Sequence, residues 1–458
     1  MFITLVRREI AGNVLSFRFI VTFVLFFGLI LVSVLVLTNG HAGRVQSYEA
    51  SRSTHRDALA QVAQVKEPRQ QLDELLVNRG VYSDIRPQEL GVFVDGLERR
   101  LPSQVHAALF NARRVDEEAY RNPLLALFAS PDYGYIVNIV VSLLALLFVF
   151  DAICGEKERG TLKLVLVNSV PRDQVILAKW VGGYLSLVLP FLVAVLAGAA
   201  YVHLTGAVVL RGEALERLIG IVGVSLLYIS VYFTLGLAIS ALTHRGATAL
   251  VVSLFVWICW TLVIPNLAPV VARIVYPVPS IEKITAEKLA VDQETELQLR
   301  RVSQRTLSYG KEGQRQIDEV RAEGERTKQK LDRFYEDQFQ TQIDISRTLS
   351  RLSPAASFRY ATTELAGTGI SLFDGHRQAG KRFQAEFTEY ADQLYRQQND
   401  GKLAAGWFQA DQVPAMKLLL PRLDDTLSRI GADLLLLAVF NLLLFMGTYV
   451  SFLRYDVT

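Results

Sequence analysis

The chain has 458 residues, 51% of them hydrophobic, and its 48 Lys and Arg nearly balance its 45 Asp and Glu, leaving a formal net charge of +3. A charge that small excludes nucleic acid as the expected partner, and two cysteines, Cys154 and Cys259, exclude a disulfide-built scaffold. The apolar residues are gathered into blocks between strongly polar stretches, where a soluble protein would spread them along the chain.

Arg7, Arg8 and Arg18 lie in residues 1–18, ahead of the first apolar block, Phe19–Thr38. That block has the roughly 20 residues a bilayer crossing needs, lacks a small-residue cleavage site and reads as an uncleaved anchor. A polar insert follows, Asn39–Gly134, expected to be mostly helical over Ser51–Val77, with turn signals at Asn78-Arg79-Gly80 and Arg86-Pro87. The second span is Tyr135–Ile153, the shortest, closely flanked by Asp132 and Asp151. A loop over 154–179 leads to the third span, Trp180–His203. A short outer loop, 204–217, precedes the fourth, Leu218–Leu242, and a tight turn, 243–246, leads to the fifth, Ala247–Val271. Pro265 and Pro269 are expected to end that fifth helix, because each removes a backbone donor.

The second insert, Ala272–Arg429, carries a charged run from Ile281 to Leu352, broken at Gly310-Lys311-Glu312-Gly313. Its sparse apolar residues (Ile317, Val320, Leu331, Phe334, Tyr335, Phe339, Ile343, Ile345) keep helical spacing and make a narrow seam, which predicts a pair of long helices forming a stalk. High charge and Gln content keep a disordered loop as the rival reading. Another helical stretch, Ser371–Gln398, returns through Gly401–Val413 to the last span, Ile430–Phe452, and a tail over 453–458. Lys and Arg in the short loops (Lys157, Arg159, Lys163, Arg172, Lys179, Arg245, Arg454) all fall on one side if the spans number six, so both termini are expected in the cytoplasm and both inserts outside it.

The segment from Asp151 to Lys179 holds the most informative pattern. It opens with the acidic pair Glu156 and Glu158, turns at Gly160-Thr161, offers apolar Leu162, Leu164, Val165 and Leu166, and starts the next helix at Pro171-Arg172-Asp173. Such an element either lies on lipid as an interfacial helix or docks into a partner protein. As a surface pair, Glu156 and Glu158 suit a basic patch on that partner better than a catalytic role.

The run Glu156-Lys157-Glu158-Arg159-Gly160-Thr161-Leu162, with Pro171-Arg172 and Lys179 downstream, resembles the signature of ABC-2-type permeases, the membrane subunits of ATP-driven ABC transporters. The resemblance implies that this loop is the coupling helix, seated in a groove of the ATPase, with Glu156, Glu158, Gly160, Thr161, Leu162, Leu164, Pro171 and Arg172 as its coupling residues. Arg7-Arg8-Glu9-Ile10 resembles the family's amphipathic connecting helix, for which Phe2, Leu5, Val6, Ile10, Val14 and Phe17 supply an apolar face. Ser353-Pro354-Ala355, Leu365-Ala366-Gly367-Thr368 and the terminal Phe452–Val457 are similar to permeases with a large insert before the last span, those of gliding-motility and nitrous-oxide-reductase-maturation transporters. The first insert is far longer than a minimal member needs, so a substrate does not carry over.

Gly375-His-Arg-Gln-Ala-Gly-Lys381-Arg382 nearly matches a phosphate loop but has Arg where Ser or Thr binds Mg²⁺ and lacks a preceding strand. The six His residues show no metal-ligand spacing. Polar residues inside the spans (Asn138, Tyr228, Ser230, Thr234, Asn266, Asn441, with Asp433) serve either helix–helix hydrogen bonds or a substrate pathway.

The expectation is an all-α polytopic membrane protein: six transmembrane helices and two mostly helical extracytoplasmic inserts, the second including a long helical stalk. It would be a transporter permease rather than an enzyme, without cofactor or metal of its own, ATP and Mg²⁺ being bound by two ABC ATPase subunits. Its other partners would be a second permease copy or paralogue, the lipid bilayer of the inner membrane and an extracytoplasmic protein. The expected function is export of a lipid, peptide or small hydrophobic compound. The alternative is mechanotransmission, in which the stalk acts on a partner and nothing crosses. The coupling motif disfavours a sensor without an ATPase.

Overall fold

The computed structural model describes residues 2–108, 132–162, 171–305, 311–401, 403 and 407–454. The chain divides into two compact units, Met1–Pro265 with Arg351–Thr458, and Asn266–Ser350. Among the described residues six helices are long and apolar enough to cross a membrane, which makes this an all-α polytopic membrane protein.

The first unit begins with α1 (Phe2–Val14) and α2 (Phe17–Gln64), the latter started by Ser16, whose hydroxyl accepts from the Phe19 amide. The sequence predicts a span ending at Thr38 and a separate helix from Ser51; instead α2 is one helix of 48 residues. Gly40 and Gly43 each weaken it by about 1 kcal/mol, which the packing of α2 beyond the apolar block on residues 81–98 offsets. Then come α3 (Pro68–Asp73), a π turn (Glu74–Arg79) and a two-stranded antiparallel sheet absent from the sequence reading, β1 (Val81–Asp84) with β2 (Gln104–Ala107), pairing Val81 with Ala107 and Asp84 with Gln104. Gly80 has φ 66°, and a Cβ there would sit 2.5 Å from the Ala107 carbonyl oxygen, so only glycine makes this entry to β1.

The second span, α4, runs through Tyr133–Ile136, a π turn at Val137–Val141 and Ser142–Val149. A short α5 (Cys154–Glu158) leads to α6 (Arg172–Leu204), α7 (Glu213–Leu242) and α8. α8 extends from Gly246 to Val275, with a π turn at Cys259–Val263. Pro265 and Pro269 therefore do not end it. The wider π turn relieves the clash a proline ring makes with the carbonyl four residues earlier. α7 is the hub, buried along most of its length, with α4 packed closely where Gly236 admits Val149 and Leu146.

Helix α11 (Pro354–Ala366) is buried at every residue, between α7 and the last span, α13 (Leu423–Leu453). The sequence reading assigns it to the second insert. Phe358 stacks on Tyr228, near the middle of α7, with ring centroids 4.3 Å apart, and Leu365 rests on Gly220 a few turns away. The helix therefore reaches down among the spans. Ser353 caps its start, with Pro354 as first residue, and Gly367 closes its end at φ 71°. Thr368 then donates to the Thr363 carbonyl and Gly367 to Glu364, the paired bonds of a Schellman ending.

A second core lies outside the spans. Val62 of α2, Leu72, Leu75 and Leu76, Val81 and Val105 of the sheet, and Phe383, Phe387 and Leu394 of α12 (Ile370–Asn399) pack together. The two inserts thus contribute to one small domain.

The second unit is a helical hairpin of α9 (Ile281–Arg305) and α10 (Lys311–Ser350). Lys288 pairs with Asp332 at 2.5 Å and Lys328 with Asp292 at 2.8 Å, while Tyr335 bonds Glu287. Gly324 lies so close that a Cβ there would stand 2.5 Å from Thr295 Oγ1. Each step forward on α9 is matched by an equal step back on α10, the register of an antiparallel pair.

Candidate functional site

The loop between α4 and α6 is tied to the helices around it, at the end of the bundle that holds α1 and the last turn of α13. Ser240 Oγ, near the end of α7, accepts from the Ile153 and Cys154 amides at 3.0 Å each. Arg18 clasps Asp151 with two bonds of 2.7 and 2.8 Å and lies over the Phe150 ring. Lys157 Nζ donates to the Ala241 and Thr243 carbonyls, where the negative end of α7 favours a cation.

Glu158 Oε2 accepts from the Gly246 amide at 3.1 Å, placing a carboxylate at the positive start of α8. Glu156 Oε1 accepts from Lys179 Nζ at 2.7 Å, and the same ammonium reaches Glu9 Oε1 of α1 at 3.1 Å. Only 7% of the Lys179 side chain is exposed, so one lysine holds α1, α5 and α6 together. Arg172 donates to the Leu453 carbonyl at 2.9 Å, closing the end of α13.

These positions revise the sequence reading. Glu156 is half-buried with one carboxylate oxygen on Lys179, and Glu158 is exposed while accepting from the Gly246 amide. Leu162, expected on an apolar docking face, is fully buried in the bundle core. Gly160 has φ 71° with open space around it, Thr161 is exposed, and Pro171 precedes the first turn of α6, as the turn and helix-start signals predict. Leu164 lies outside the described residues.

Buried ion pairs were missed from sequence. Asp132 and Arg359 are 0% and 1% exposed and 2.8 Å apart. Asp132 Oδ1 also accepts from the Tyr135 amide that opens α4, and Oδ2 from the Asp95 amide, so this carboxylate joins a span, α11 and the first insert. Arg351 grips Asp433 of α13 through two bonds of 2.7 and 2.8 Å. The sequence reading noted Asp132 and Asp433 at the spans, but Arg359 lies in a 13-residue stretch too short to read as a span, so the pairing was not visible.

The polar residues within the spans bond one another. Tyr228 donates to Asn138 Oδ1 at 2.7 Å, Thr234 to Asn441 Oδ1 at 3.0 Å, and Asn441 in turn to Ser230. Trp180 donates to Thr234 and Trp257 to Ser142, so these groups serve helix packing in this conformation. The stretch Gly375–Arg382 lies inside α12, where its amides follow the helix ladder instead of lining a phosphate loop.

Six spans, a short amphipathic helix ahead of the first and an anchored loop between the second and third define a polytopic permease architecture. The chain belongs to the ABC-2 family of transporter proteins, whose pattern it matches over residues 3–457. It is similar to the probable ABC transporter permease protein NosY of Pseudomonas aeruginosa, 35% identical over 131 residues, and to that of Stutzerimonas stutzeri, 33% identical over 132. Each match covers 28% of this chain and 46% of the relative, so the chain spans about half the length of the curated relatives it matches.

Proposed function

We propose that this chain is the permease of an ATP-driven exporter, coupling hydrolysis by two separate ABC ATPase subunits to export of a lipid, peptide or small hydrophobic compound, paired with a second permease copy or paralogue. Its loop between α4 and α6 would lie in the cytoplasm, both termini with it, and the sheet-bearing domain outside the inner membrane. One observation carries this reading: the loop is bonded to α6, α7 and α8 at once, and through Lys179 to α1, so a push on it reaches much of the bundle.

The bonds made by Glu156 and Glu158 divide the labour within the loop. Leu164 would meet the ATPase, while Glu156 and Glu158 pass the motion on. Leu164→Asp should therefore abolish co-purification of the ATPase. Glu156→Gln should keep the ATPase bound while cutting permease-stimulated hydrolysis about tenfold, by loosening Lys179 from α5. Wild-type binding in the first variant together with wild-type turnover in the second would overturn the assignment. Labelling of single cysteines at Ser53, Gln329 and Gln393 by a membrane-impermeant reagent in intact cells, with none at Asn168, tests the orientation; the reverse pattern inverts it.

The hairpin favours a second reading, mechanotransmission. Leu289, Leu297 and Phe334 stand more than half exposed along ion-paired helices, as a surface for an extracytoplasmic protein would require.

A further inference from the structure

We propose that the domain outside the spans binds a phosphate-bearing anion in the cavity between α2 and the turn that carries Glu98, whichever transport reading holds. The cavity has a volume of about 620 Å³, in the range of small-ligand sites. One wall is a single face of α2, where Gly40, Gly43, Arg44, Ser47 and Ser51 recur at helical spacing. The two glycines leave room beside the helix: nothing lies within 4 Å of a Cβ at Gly43, and at Gly40 such a Cβ would meet only the guanidinium ends of Arg44 and Arg99. Arg86, Arg99 and Glu98 line the cavity from the first insert, and His376 from α12.

Three cations, Arg44, Arg86 and Arg99, line the cavity together with the carboxyls of Asp84 and Glu98. Arg99 is paired with Asp95 at 3.0 Å, and Asp84 Oδ2 bonds His55 at 2.8 Å while its Oδ1 is shielded without a hydrogen-bond partner. Arg86 is exposed and makes no ion pair among the described residues. Arg44 stands 3.9 Å from Glu98 Oε2, beyond hydrogen-bond reach, and its Nε and Nη2 are shielded from solvent without a hydrogen-bond partner. Nη1 of Arg44, 4.0 Å from a Cβ at Gly40 on the cavity wall, is the nitrogen within reach of a phosphate oxygen, leaving further oxygens for Arg86. Glu98 is held near neutrality. Burial pushes it up to about 7, against the pull of the Gln88 amide, Arg44 and Arg99 and with a further push from Asp95. His376 is lowered by burial and adds no charge at neutral pH.

Position narrows the source. Gly40 is two residues past the apolar block, so at ~1.5 Å per residue the cavity begins at the depth of lipid headgroups. A phospholipid headgroup and free phosphate share the recognised chemistry.

The test uses the full chain in detergent, titrated separately with dihexanoyl phosphatidic acid and with inorganic phosphate, and read by native mass spectrometry. Saturable binding of one anion per chain is expected, weakened at least tenfold by Arg44→Gln and by Arg86→Gln. Arg86 is exposed and unpaired, so that variant keeps the fold. Arg69→Gln, on the exposed surface of α3, should bind as wild type. The ligand's own ionisation cancels in the ratio of Glu98→Gln to wild-type affinity, which should rise as pH goes from 6 to 8. Binding of the lipid alone assigns a headgroup site, and equal binding of both assigns a free-anion site. Saturation by neither, or Arg86→Gln matching Arg69→Gln, overturns the proposal.

Discussion

Glu98 shows how one side chain can set a pH response. Its carboxyl shifts from an ordinary 4.5 to about 7, chiefly because it is buried. Between those values the folded protein keeps a proton that the unfolded chain has released, so stability declines as pH rises through that window and levels off above it. Glu98→Gln should flatten the dependence of the detergent-solubilised melting temperature from pH 5 to 7; an unchanged slope would mean that another group sets it. Gly91 is part of the same arrangement, since a Cβ there would lie 2.3 Å from Glu98 Oε2. The sequence made residues such as Glu156 and Lys179 visible as a pattern, but not the direction they face. That direction depends on Glu9, far away in sequence, and on helix ends formed only after folding.

At the scale of elements, the spans were readable because a bilayer demands long uninterrupted apolar runs, and the start of α6 at Pro171 followed from proline's fixed φ. α12 was legible too, since its apolar positions repeat at helical spacing. α11 was not. It is short and polar in composition, and its burial rests on Arg359 meeting Asp132 and on Phe358 meeting Tyr228, pairings between distant segments. The β1–β2 sheet escaped for a similar reason: four-residue strands carry little pattern of their own. Gly367 ends α11 in a left-handed conformation that disfavours any residue with a Cβ. Gly367→Ala should cost about 1 kcal/mol, measurable as a lowered unfolding midpoint. An equal loss in Gly431→Ala, inside α13 with nothing within 4 Å of its Cβ, would point to a general effect instead of the cap.

For the molecule as a whole, the hairpin separates export from mechanotransmission. Its matched register allows α9 and α10 to be shortened together, by about one heptad each, without shifting the seam. If the hairpin transmits force, ATPase assembly should persist while biological output is lost; if the chain exports a substrate, transport should continue at a reduced rate. Full output after the deletion would leave export as the sole reading. The seam predicted from sparse apolar positions is present, with Ile343 buried and Ile317, Leu331 and Phe339 partly covered, but Phe334 faces out. Spacing alone could not show that ion pairs such as Lys328–Asp292 hold the two helices as much as apolar contact does.

The unbroken course of α2 has a mechanical consequence. About 26 of its residues extend past the apolar block, roughly 39 Å of helix continuous with the first span. A rotation of that span by only about 10° would carry the far tip some ~7 Å sideways, more than the width of a β-strand. The Arg44 cavity lies low on this rod and would move little, whereas Val62, set in the outer core at its tip, would travel furthest. The rod is therefore a lever with its ligand site near the fulcrum, able to report small tilts of the spans as large displacements at the outer surface.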